Sequence, residues 1–180
     1  MKSEDINIDG LNNQENIDAS VITEKTSVYI KGNNNTLNIA KNCVIKESVF
    51  FFEGDNCEIT LGEGTTVESA AFVVFEKNNK IITGNDCMFA RDITVRTSDS
   101  HSIIDLKSKK RINPAKSIFI GNHVWVCAHA HILKGVSIGD NSIIALGCVV
   151  SHDVPGSCIA GCNPNKVIRK NITWDRGLIT

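Results

Sequence analysis

No charge of either sign dominates this chain. Its 19 lysines and arginines stand against 20 acidic residues, a formal net charge of -1 at pH 7. So even a balance gives no basic field to draw in nucleic acid. Long apolar runs are missing too: the longest uncharged one, Ala70 to Phe75, is far too short to span a bilayer. The amino terminus, MKSEDINIDG, is polar and acidic, which fits no secretory signal and predicts a cytoplasmic protein. The seven cysteines are odd in number and contain no C-x-x-C pair, which argues against a disulfide framework and against a structural zinc site. The length is that of one domain, and 42% hydrophobic residues suffice to fill its core.

What the chain does have is a period. From Ile120 to Pro155 it reads in sixes as IGNHVW, VCAHAH, ILKGVS, IGDNSI, IALGCV, VSHDVP, each block opening on an aliphatic residue (Ile120, Val126, Ile132, Ile138, Ile144, Val150). A helix needs apolar positions at mixed spacings of three and four, and a half-buried strand needs alternation, so neither explains a strict period of six. A solenoid does. Each block becomes one flat face of a prism, its first residue points inward, and three blocks make a coil that stacks on the next. Fifth positions hold small apolar residues such as Val124 and Ala130; Cys148 sits there, as Cys43 and Cys87 do in the earlier repeats, and all three read as core filler.

The first half carries a longer version of the same repeat. A shift of 22 residues superposes the stretches that begin at Ile30, Phe52 and Val74. The inward columns then read Leu37, Ile59, Ile81; Ile39, Leu61, Thr83; Ile45, Val67, Phe89; and Phe51, Val73, Val95. Each early coil is thus three hexapeptides with a polar corner of four extra residues, and the asparagines at 33 to 35 are turn residues. Ile6 to Ile17 falls into the same register as a terminal capping coil.

The register breaks between Val95 and Ile120, where the segment Thr97 to Ser117 leaves the solenoid. It holds His101 near Asp99, then a basic run of Lys107, Lys109, Lys110 and Arg111. Long excursions from a regular scaffold are commonly functional. After the repeats, the stretch from Gly156 to Lys170 suggests a turn and a last strand. The domain is expected to run over 1–170, with 171–180 a short tail.

Together the hexapeptide blocks, a D-x-H loop extruded from one coil, the IGNHVW that follows it, and the closing AGCNPNKVIRK resemble the left-handed β-helix acyltransferases. Within them the chain is most similar to the maltose and galactoside acetyltransferase group and the O-acetyltransferases of capsules and lipopolysaccharides. That resemblance implies an all-β fold, a left-handed parallel β-helix with one extruded loop, since the left hand is not the usual preference of parallel crossovers. It implies transfer of an acetyl group from acetyl-CoA to a hydroxyl of a sugar or surface polysaccharide, without a metal and by a homotrimer. His101 would be the general base; Asp99 would orient its ring or make only an Asx-turn. Trp125 would lie beside the acceptor and the pantetheine arm. Cofactor contacts map to Ala145, Gly147, Ser151 and His152, with Lys166, Arg169 and Lys170 near the phosphates. Cys127 and Ala145 stand where the family commonly has glycine, and His152 where it commonly has a basic residue.

Other readings remain at this point. The γ-class carbonic anhydrases share the fold and bind a metal through three histidines, and this chain has five. His123 and His129, however, share the outward fourth position of their blocks and read as surface residues. An N-acetyltransferase acting on an amino sugar, and a structural β-helix without activity, are further alternatives. An acidic acceptor, a sialic or uronic acid polymer, would suit the run from Lys107 to Arg111, which otherwise is a solvated loop.

Overall fold

The computed structural model describes residues 5–180, which form 21 strands and no helix. The strands fall into three sheets of seven, six and eight, and the chain visits the first, second and third sheet in strict rotation as far as Val149–Val150, after which the last two strands both join the third sheet. Every strand pair is parallel except the last, where Cys158–Gly161 runs antiparallel to Lys166–Lys170. A parallel sheet whose successive strands lie one full coil apart is the wall of a prism. Its interior is filled by the block-opening residues: Ile120, Val126, Ile132, Ile138, Ile144 and Val150 are each exposed by 3% or less.

The inward columns run through the sheets as straight ladders. Glu15, Leu37, Ile59, Ile81 and Ile118 stand in register in the second sheet, and the register passes the extruded segment unchanged from Ile81 to Ile118. One expected column is wrong. Phe51 and Val73 face outward, and the inward residues of the first sheet are Phe50 and Phe72, in register with Val95. Phe50 to Phe52 and Phe72 to Phe75 are apolar at every position, so their alternation carries no parity, and a slip of one residue exchanges the two faces. Phe50 stacks on Phe72 at 5.3 Å, and Phe72 meets Phe89 edge-on at 5.5 Å. Cys43, Cys87 and Cys148 are buried among these ladders as free thiols, and burial foremost pushes the Cys87 thiol up to about 11.

The four-residue corners of the early coils join the first sheet to the second. There, side chains hydrogen-bond the backbone of the neighbouring coil: Leu11 N–H donates to Asn33 Oδ1, Asn33 N–H to Asp55 Oδ1, and Cys57 N–H to the buried Asn35 Oδ1, at 2.8–2.9 Å. Asn34 takes a left-handed backbone with φ of 56°, as a tight corner demands. Corners in both halves are close. A Cβ on Gly32 would lie 2.0 Å from Gly54 O and one on Gly121 2.2 Å from Asp140 Oδ1, so side-chain-free backbone is required for the coils to close.

Candidate active site

The extruded segment leaves the prism at the edge between the first and second sheets, after the strand Ile93–Arg96 and before Ile118–Ile120. It folds as a small hairpin, with Ile104 bridging Arg111 and Ile112 N–H donating to Ile103 O. Two anchors hold its base. Glu76, at the corner below, accepts from Arg111, from Ser98 Oγ at 3.3 Å and from Ala115 N–H at 3.3 Å. The hydrogen bond from Arg111 above all keeps the Glu76 carboxyl below the usual glutamate range.

The second anchor is Asn113, which is buried. Its Oδ1 accepts from Ile103 N–H at 2.7 Å, while its Nδ2 donates to Asp99 Oδ2 at 2.7 Å and to the His101 carbonyl at 2.8 Å. Asp99 also accepts from Lys134, and these two bonds, the lysine's first, hold its carboxyl below the ordinary aspartate range. The Asp99 carboxylate therefore grips the backbone around His101 through Asn113 and makes no hydrogen bond to the imidazole. The His101 ring is exposed, has no hydrogen-bonded partner among the described residues, and borders a groove with Phe75, Ser98, Ser100 and Arg111. Glu76, Asn113 and Lys134 are absent from the sequence-based site. Only Asn113, an asparagine before a proline at the foot of an excursion, offers a signal there.

Trp125 lies elsewhere, half-buried on the outer face of the third sheet, in register with Met88 and Ile143. It borders an apolar groove with Val44, Thr66, Met88, Ala90 and Ala128. In a three-sided prism the edge between the first two sheets is opposite the third face, so one chain does not bring His101 and Trp125 together. The third sheet continues from Trp125 through Ile143 and Ile159 to Arg169, which puts Lys166 and Arg169 on the same wall as the tryptophan.

Ala145 and Gly147 occupy the edge between the third and first sheets. Gly147 has φ of 68° with open space around it, and its N–H donates to Ala128 O at 3.0 Å. Ser151 and His152 sit at the far end of the next strand, where the buried Asn165 accepts from both their backbone N–H groups at 2.9 and 3.0 Å. The expected cofactor residues are thus split between two edges of the last coils.

His123 is not a plain surface residue. Its Nδ1 lies 2.7 Å from Asp86 Oδ2 and its Nε2 2.9 Å from the Trp174 carbonyl, so both ring nitrogens are engaged. His129 faces Asp92 at 3.4 Å. No group of three or more His, Cys, Asp or Glu side chains is placed to hold a metal among the described residues.

Comparison with known proteins fits this architecture. The family model for bacterial transferase hexapeptide (six repeats) matches residues 117–152. The chain is 46% identical over 104 residues to a polysialic acid O-acetyltransferase of Escherichia coli, a match covering 58% of this chain and 34% of that protein. It is 34% identical over 105 residues to a polysialic acid O-acetyltransferase of Neisseria meningitidis, covering 58% and 49%. The matches thus span between about a third and a half of the length of these relatives. The solved structure of the polySia-specific acetyltransferase NeuO superposes with a TM-score of 0.78 at 33% identity, covering 96% of this chain and 82% of that one. The chain belongs to the hexapeptide-repeat acetyltransferases, whose parallel β-helix is left-handed.

Proposed function

We propose that the protein transfers an acetyl group from acetyl-CoA to a hydroxyl of an acidic surface polysaccharide of the polysialic acid kind, with His101 as general base. The observation that carries this reading is the contrast between the histidines: the ring of His101 is free and held out on a doubly anchored hairpin, whereas both nitrogens of His123 are occupied. The free imidazole takes the proton of the acceptor hydroxyl as that oxygen attacks the thioester carbonyl. The carbon–sulfur bond then breaks, and the departing thiolate takes up the proton. Asp99 serves this step by fixing the hairpin backbone, not the ring. Lys107, Lys109 and Lys110 at the hairpin tip suit an acidic polymer, and the similarity to polysialic acid O-acetyltransferases supports that acceptor class. Trp125 stands beside the acceptor and pantetheine; Ala145, Gly147, Ser151 and His152 line the cofactor's path, and Lys166 and Arg169 meet its phosphates. The reaction belongs in the cytoplasm, where acetyl-CoA is supplied.

The protein works as a homotrimer. His101 and Trp125 lie on opposite sides of one prism, so a neighbour must supply one of them, and closed threefold symmetry makes three equal sites. The hairpin fits this role, since Ile103, Ile104, Leu106 and Ile112 are 47% to 82% exposed on an arm that has no core of its own.

The test is acetyl transfer to polysialic acid by His101→Ala. A loss on the order of 10²–10⁴ in kcat with acetyl-CoA affinity retained is the expected result. Equal turnover by the variant and the wild type overturns the base assignment. Mixing inactive His101→Ala with inactive Trp125→Ala restores activity if sites form between copies, and a monomer by light scattering refutes the trimer.

A further inference from the structure

The segment after the last strand does not trail into solvent. It turns back along the edge between the second and third sheets and crosses successive coils: Ile172 N–H donates to Ser157 O, Trp174 meets His123, and Arg176 reaches Asp86, Cys87 and Thr66. Trp174 is 8% exposed, although the residues around it in sequence are mostly open to solvent. Its indole lies flat on the His123 ring, with centroids 4.1 Å apart and planes within 8°. The clamp is reciprocal. Trp174 Nε1 donates to the His123 carbonyl at 2.7 Å, and the His123 Nε2 faces the Trp174 carbonyl.

Arg176 closes the arrangement from the other side. Its guanidinium lies over the indole at 5.6 Å and donates to Asp86 Oδ1 at 2.9 and 3.1 Å, while His123 holds the other oxygen of that carboxylate. Two side chains of the solenoid and two of the strap thus form one closed cluster. Its inner neighbour is Trp125, whose ring is 6.0 Å from that of Trp174 and tilted by 49°. His123 also sits two residues before Trp125 in a left-handed backbone conformation, φ 53°, so the strap grips the corner from which the Trp125 strand departs.

We infer that Trp174 is a positioning residue for Trp125. It packs one side of that ring through the His123–Asp86–Arg176 clamp and leaves the other side to the groove lined by Met88 and Ala128. The inference rests on the reading of Trp125 given above. A bulky aromatic with one side packed has few rotamers left, so its partner meets it already in place, and affinity gains from the ordering done in advance.

The chain has two tryptophans, so Trp174→Phe leaves Trp125 as the sole emitter. In the full-length protein, Trp174→Phe should keep near-wild-type kinetics and show Trp125 emission that changes on adding CoA. Trp174→Ala should raise KM for CoA or the acceptor several-fold to about tenfold with kcat largely kept, the split expected of lost pre-organisation. Where Trp174→Ala fails to fold, Arg176→Ala takes its place, with the same direction and a smaller size. Wild-type KM values in these variants, beside an impaired Trp125→Ala, overturn the positioning role and leave the reading of Trp125 standing. An unimpaired Trp125→Ala with silent emission on CoA addition instead overturns that reading, and this inference with it.

Discussion

The two halves of the prism are held together by different means. Between the early coils, side chains repeat every 22 residues and bond their own counterparts: the asparagine and aspartate ladder at the corners, and the pairs Lys25–Glu47, Lys31–Glu53, Lys41–Glu63 and Lys46–Glu68 along the walls. The aromatic cluster of Phe50, Phe72 and Phe89 fills this half. Among the described residues the later coils carry no such Lys–Glu pairs and close on Ile, Val and small residues, and the ladder that continues there is at the corner between the second and third sheets, where Asn85 N–H donates to Asn122 Oδ1 and Asn122 N–H to Asp140 Oδ1. The hairpin with His101, the expected cofactor residues and the strap all belong to the chain from Val95 onward, and the hairpin and strap reach back to the early coils at Glu76 and at Asp86 and Thr66. Paired charges tie the early stack coil to coil, and the hairpin and the strap lean on that stack from the later one.

The comparison breaks most visibly in the core. Phe72→Ala removes the ring that joins Phe50 to Phe89 and should cost about 3–5 kcal/mol in urea unfolding. A loss below 1 kcal/mol would show that the early coils draw their stability from the ladders instead. Asn113→Ala leaves Ile103 N–H and Asp99 without their buried partner and should cost about 1–3 kcal/mol. Because it frees the hairpin and not the coils, kcat should fall while the CoA affinity stays.

Two carboxylates sharpen the contrast through pH. Glu15 occupies the inward column beneath Leu37, its Oε1 is buried without a partner, and burial raises its pKa. A carboxyl raised on folding penalises the fold above its folded pKa and ceases to do so as pH falls through that value. Glu15→Leu should therefore raise Tm at pH 7 by a few degrees, and the gain should shrink in mildly acidic buffer. Asp86 has the opposite sign. Burial opposes its charge, yet the hydrogen bonds and charges of His123 and Arg176 prevail and lower its pKa. The strap's hold is present above the ordinary aspartate range and is lost as pH falls through the lowered value, which Trp174 emission should report while the solenoid stays folded. The smallest effect belongs to the exposed ladder: Lys25→Ala should leave the unfolding midpoint unchanged, since exposed pairs are screened and costly to order.

Much of this was legible in the sequence because a solenoid repeats its contacts at a fixed interval. Period six located every inward residue from Ile120 to Val150, and period 22 placed the corners and three of the four early columns. The fourth column failed because an unbroken apolar run carries no parity. The excursion at Thr97–Ser117 was visible as a gap in the period, and the resemblance singled out His101 within it. The partners of Asp99 were not, because Asn113 and Lys134 come from the far end of the hairpin and from the next coil, and nothing in a linear spacing ties them to it. The strap was equally invisible: a Trp, an Arg, a His and an Asp scattered from 86 to 176 become one clamp only when the chain doubles back along the prism edge. Period is a property of the chain alone, whereas partners that occur once across that distance are chosen by packing.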